Sequence, residues 1–173
     1  AVKYAGISGA ITHGDQRVYD ACRYYAALII AALQKESKAN LLKSTFLTDH
    51  KDWFGEKDLH EDIKKIASGS FKKENGYKEG IRGKGFIVLA LEAALWAFWK
   101  DNDSFENGVK NAVSLGDDTD TTAAIYGQLA GAYYGFKALP ETWLHYIYGK
   151  GFIVCLSKFY PSGNPIKPEF VIV

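Results

Sequence analysis

Methionine is absent from this 173-residue chain, cysteine occurs twice, proline four times, and acidic and basic side chains nearly cancel. Each scarcity excludes something. Without methionine there is no initiator, and the chain opens at Ala1 inside a pattern already under way, which reads as a sequence with material missing upstream. Cys22 and Cys155 both sit in apolar surroundings and are too few for a disulfide framework. They read as reduced, buried thiols of an intracellular, cytoplasmic protein. Twenty-one Lys and Arg against twenty Asp and Glu give +1, so no global field recruits nucleic acid or an anionic membrane. The longest apolar run, Phe86–Leu91, passes Glu92 and stops at Trp99, well short of the ~20 residues of a bilayer span. Neither end carries a recognisable signal or lipidation motif. No Pro/Ser tract divides the chain and no internal repeat is visible, so residues 1–173 read as one domain.

What is present is a globular composition, 47% hydrophobic and 24% charged. A chain of this length buries roughly 70% of the surface that its unfolded form exposes, so it needs no covalent staple. The dominant period is helical. Asp20–Leu33 and Phe86–Trp99 are apolar on nearly every side and call for cover all round, which a full-sized partner would supply. Asp58-x-x-Glu61 and Asp103-x-x-Glu106 have capping-box spacing ahead of apolar stripes. Pro140 suits a first helical position before Glu141. Strand signals are limited to Phe170–Val173 and an ambiguous run from Gly151. The expectation is an all-α fold.

Two segments break the pattern. Ser68–Gly85 contains five glycines, and Lys64–Lys84 holds seven basic residues against two acidic ones. This reads as a solvated loop, or as one that meets a phosphate-bearing ligand. In the helix expected from about Thr121 to Gly135, Gly127, Gly131 and Gly135 recur every fourth residue. Each costs about 1 kcal/mol relative to alanine, so close helix packing must compensate.

The most informative stretch is Ser114–Thr122, in which three carboxylates and three hydroxyls occupy positions 117–122. A helix N-cap explains one of them. Asp117, Asp118 and Asp120 together repel unless a cation or several donors offset them. On a regular helix, positions two apart point to nearly opposite sides, whereas in a turn leading into the helix Asp118 and Asp120 can converge. Oxygen ligands of this kind suit Mg²⁺, Mn²⁺ or Ca²⁺ rather than zinc. Spacing alone leaves cap and metal site both open.

Leu115–Gly135, reading LGDDTDTTAAIYGQLAGAYYG, resembles the C-terminal metal motif of the ADP-ribosylglycohydrolases, the family that includes the dinitrogenase-reductase-activating glycohydrolase. Ile11-Thr-His-Gly-Asp15 is similar to that family's Thr-His block, and Gly85–Phe98 to its Gly-Tyr/Phe-Val…Leu-Glu-Ala-Ala-Leu-Trp segment. Pro140–Leu144 resembles its Pro-x-x-Trp-Leu. The chain therefore looks like the C-terminal half of an orthogonal helical bundle of that family. Its N-terminal metal motifs have no counterpart here: Thr48-Asp49-His50 is a superficial match on the wrong side of the Thr-His block. Asp117 stands where the family has glycine.

The resemblance implies hydrolysis of the bond between ADP-ribose and a modified protein side chain at a two-metal centre of Mg²⁺, with Mn²⁺ possible. It assigns Asp118, Asp120 and Thr121 as metal ligands, with Asp120 bridging, and His13, Gly85 and Phe86 to the ADP-ribose site. It assigns no acid or base, which would belong to an N-terminal segment on another chain or fragment. Arg17, Arg82 and Lys84 are candidate phosphate partners. A non-catalytic ADP-ribose-binding or crystallin-like relative is the alternative, followed by a helical interaction domain with an incidental acidic cluster.

Overall fold

The computed structural model describes residues 1–159. It is all-α, with no strand among the described residues. Helix α1 (Val2–Thr12) folds back on α2 (Gln16–Leu33), and glycine sets their separation. A Cβ at Gly6 would stand 2.8 Å from the Tyr19 ring, and one at Gly9 would stand 2.8 Å from Cys22 Sγ. The expected Asp20–Leu33 helix starts four residues earlier, because Asp15 caps it by accepting from the Arg17 N–H at 2.8 Å.

Three single-turn helices follow, α3 (Lys38–Leu41), α4 (Phe46–Asp49) and α5 (Lys51–Phe54). None of these, nor α1, was legible in the periodicity. Helix α6 (Glu61–Ala67) does not use Asp58 as its cap. His60 Nδ1 accepts from the Asp62 N–H instead, and Asp58 pairs with Lys64 at 2.8 Å. The same correction applies to α8 (Phe105–Ser114), capped by Ser104 rather than Asp103. In both cases a residue nearer the first apolar position wins the cap. Pro140 likewise sits just outside α10 (Glu141–Tyr146), one position before the expected one. The ambiguous run after Gly151 is helical, within α11 (Lys150–Phe159), and Phe170–Val173 lies outside the described residues.

Helix α7 (Ile87–Trp99) and α9 (Thr119–Tyr134) complete the core with α2 and α8. Helices α2 and α7 are covered by the chain's own elements: α7 exposes no residue, and α2 only Gln16. That corrects the expectation that these two helices need outside cover. Exposed apolar side chains elsewhere include Tyr4, Ile7 and Ile11 along one stripe of α1, and Tyr146, Tyr148 and Phe152. Gly127 and Gly131 are buried within α9, while Gly135 (φ 78°) terminates it. On α8, a Cβ at Gly108 would collide with Tyr126 Oη.

The glycine-rich basic segment is more ordered than its composition suggests. Phe71 and Ile81 are buried, and Trp96 Nε1 donates to the Lys73 carbonyl at 2.8 Å. Lys64 and Lys65 pair with acidic neighbours, and the Arg82 guanidinium stacks 3.6 Å from the Tyr77 ring centroid. Those charges are spent locally.

Candidate active site

Three glycine-containing loops and the starts of α2, α7 and α9 converge around one cavity. Gly116 and Asp117 both take left-handed conformations (φ 72° and 57°), which turns the chain into α9. Asp is among the few non-glycine residues that tolerate this region, so Asp117 can occupy a position better suited to glycine. Asp118 then caps α9 with non-helical backbone (φ −89°, ψ 71°). Its N–H donates to the Gly83 carbonyl at 2.6 Å, and its own carbonyl accepts from Thr122 Oγ1 at 2.9 Å. Gly83 has no room for a side chain, since a Cβ would lie 2.7 Å from Thr122 Oγ1. At Gly85 a Cβ would stand 3.2 Å from Asp118 Oδ2. Gly85 therefore allows the loop to lie directly against the carboxylate.

Around this junction lies a cavity of about 410 Å³. Its polar lining is His13, Asp15, Asp118 and Thr121, and Gly85 and Phe86 form one lip. Val18, Ile87, Ala90 and Ile125 supply an apolar floor. Helix α2 is fixed to this floor because Tyr25 Oη donates to the Ile125 carbonyl and accepts from the Leu129 N–H. His13 follows the last residue of α1, with Nδ1 2.8 Å from Thr12 Oγ1. Five of the six residues singled out in the sequence thus line one cavity.

Asp120 is the exception. It lies exposed in the first turn of α9 and does not line the cavity. Its carboxyl is nevertheless held below the ordinary carboxylate range, first by the Thr121 N–H, then by a hydrogen bond shared with Asp118 and by its own N–H. Asp118 is the non-helical cap rather than part of the helix, so the opposite-side geometry of a regular helix does not bind the pair. The oxygen-rich donors Asp118, Asp120 and Thr121 fit a hard divalent cation. They are a partial set, since the described residues contain no group of three or more His, Cys, Asp or Glu placed to hold an ion.

Asp15 was not picked out as a site residue. The available signal was its place in the Thr-His-Gly-Asp block, two residues before an arginine at a helix start. Its carboxylate accepts from Arg17 Nε at 3.0 Å and from Nη2 at 2.6 Å, and the guanidinium lies 5.1 Å from the Phe86 ring centroid. The Arg17 side chain, followed by its backbone N–H, holds the Asp15 carboxyl down to about 2. Asp15 is therefore a fixed anion at neutral pH and not a proton donor.

The all-α bundle agrees with what known proteins show. The ADP-ribosylglycohydrolase family model matches residues 1–162, and the chain belongs to that family. It is 33% identical over 135 residues to the ADP-ribosylarginine hydrolase Tri1 of Pseudomonas putida, covering 78% of this chain and 33% of that protein. With human ADP-ribosylhydrolase ARH3 it shares 26% over 168 residues, covering 82% of this chain and 46% of that protein. A solved structure titled "ADP-ribosylglycohydrolase-related protein complex" superposes with a TM-score of 0.74 at 35% identity, covering 87% of this chain and 49% of that one. The chain thus spans half or less of the length of these relatives. No helix among the described residues is long and apolar enough to cross a membrane.

Proposed function

We propose that this chain carries one part of an ADP-ribosylglycohydrolase active site that removes ADP-ribose from a modified protein side chain. In that hydrolysis the bond from the ribose anomeric carbon to the acceptor atom breaks. The oxygen of water takes its place, and a proton passes to the leaving side chain. The observation that carries the reading is the single cavity shared, in a family member, by His13, Phe86, Asp118 and Thr121. Asp118, Asp120 and Thr121 would hold Mg²⁺ or Mn²⁺, and such a two-metal centre, when bound, fixes ribose hydroxyls and activates a water.

The chain's own residues account for binding better than for proton transfer. His13 keeps Nε2 for a ligand while Nδ1 engages Thr12. The apolar floor and Phe86 give the cavity an apolar wall beside the acidic turn. Asp15, locked to Arg17, cannot protonate a leaving group. The acid or base, and the remaining cation ligands, belong to a second polypeptide segment equivalent to the rest of the family domain. The exposed Tyr4, Ile7 and Ile11 stripe, which runs along α1 toward His13, is a surface that such a segment would cover.

Arginine-linked ADP-ribose is the first substrate to try, because the bacterial relative at 33% identity is named for that linkage. The test is release of ADP-ribose from an arginine-ADP-ribosylated protein by this chain together with the polypeptide that co-purifies with it, with and without Mg²⁺. Metal-dependent release is expected. Saturable ADP-ribose binding with no release by that assembly would instead establish the non-catalytic binding relative.

A further inference from the structure

Phe86 stands where strong packing is missing. It is 41% exposed and belongs neither to the hydrophobic core nor to the side chains packed on it, although its neighbours Ile87 and Val88 do. As the residue before the first turn of α7, it has extended backbone (φ −97°, ψ 122°) and no helical rotamer restriction. A ring in this position would ordinarily sample several orientations. Yet it forms the lip of the cavity, where an aromatic face is useful only if its direction is set.

The group that sets it comes from a different helix. Arg17, in the first turn of α2, lies over the ring at 5.1 Å from the centroid. Its guanidinium is itself immobilised, since Nε and Nη2 form a two-point fork on the Asp15 carboxylate, which also caps α2 through the Arg17 N–H. The fork holds the guanidinium carbon over the ring, and a two-point fork of this kind is one that arginine makes and lysine cannot. The chain Asp15–Arg17–Phe86 thus joins the start of α2 to the start of α7 across the mouth of the cavity.

We infer that Arg17 is a positioning residue, held by Asp15, that fixes Phe86 as a preorganised wall for the nucleotide portion of the ligand. The inference rests on the reading that this cavity takes ADP-ribose. Arg17 needs no contact with the ligand in this role; its effect passes through the ring.

A double-mutant cycle on ADP-ribose affinity tests it, by calorimetry or ligand-observed NMR at millimolar ADP-ribose, on the chain assembled with its co-purifying polypeptide. Arg17→Ala and Phe86→Ala should each weaken binding by about tenfold, and the double variant by about tenfold rather than a hundredfold. Arg17→Lys, which keeps the charge beside Asp15 but not the planar fork, should behave like Arg17→Ala. Additive effects of the two alanine variants, or full affinity in Arg17→Lys, would overturn the inference while leaving the ADP-ribose site in place. No binding by the wild-type assembly would overturn the functional reading, and the inference with it.

Discussion

The Asp118 N–H and the Gly83 carbonyl, 2.6 Å apart, tie the acidic turn to the loop that leads into α7. This one hydrogen bond joins the two sequence blocks that the cavity needs. It forms only because position 83 carries no side chain.

Gly83→Ala should therefore damage both stability and site. The new Cβ would meet Thr122 Oγ1 at 2.7 Å and the Gly116 carbonyl at 3.3 Å, and Thr122 is fully buried and cannot move freely. Urea unfolding should show a loss of about 1–3 kcal/mol, the usual range for an overpacked site. Gly14→Ala, with nothing within 4 Å of its Cβ, is the control and should be near neutral.

Asp120→Asn keeps shape and removes charge at an exposed position. The fold should survive unchanged by circular dichroism. Mg²⁺ or Mn²⁺ titrated into the chain assembled with its co-purifying partner should bind far more weakly to the variant, and ADP-ribose release should be lost. Equal affinity and equal turnover would reduce the acidic turn to a helix cap.

Asp101 is fully buried and accepts from Lys38 Nζ at 2.5 Å, from Tyr134 Oη at 2.9 Å and from Tyr126 Oη at 3.3 Å. Burial and the Asp101 charge together push both tyrosines well above their ordinary range, so they remain neutral donors. Asp101→Ala removes the buried counter-charge of the Lys38 ammonium beside Phe98, Tyr133 and Tyr134, leaving it the exposed Asp103 carboxylate at 3.3 Å, and takes that acceptor from both tyrosine hydroxyls. Removing one partner of a buried pair costs about 3–5 kcal/mol. Chemical denaturation should show it.

The Asp15–Arg17 pair carries a definite pH signature. Asp15 falls from 3.8 to about 2 in the folded chain, so its contribution to stability is complete above pH 3.8 and is lost as pH drops toward 2. Carboxyl NMR titration should find its midpoint near 2 in the wild type. In Arg17→Ala the midpoint should rise toward 3.8, because the side-chain hydrogen bond is the largest cause of the shift.

Ile7→Glu combined with Ile11→Glu should leave the chain folded, since both side chains are exposed. It should abolish co-purification of a partner polypeptide that the wild type retains. Undiminished co-purification would place the contact elsewhere.

The sequence by itself determined the helical class, the long helices and the identity of the acidic turn. Apolar periodicity and the grouping of Asp and Thr ahead of a small-residue helix are local properties, readable wherever the chain goes. It did not determine the caps of α6 and α8. His60 and Ser104 took those places from Asp58 and Asp103, because the helix start depends on where the first apolar residue meets the core. Nor did it show that α2 and α7 would find their cover within the chain, or that α1 would carry the exposed stripe. Most of all, nothing local relates Asp15 to Phe86, or Gly83 to Asp118. Those pairs are 71 and 35 positions apart, and only the packing of α2, α7 and α9 brings their backbones close enough for a hydrogen bond or a stacked guanidinium to form.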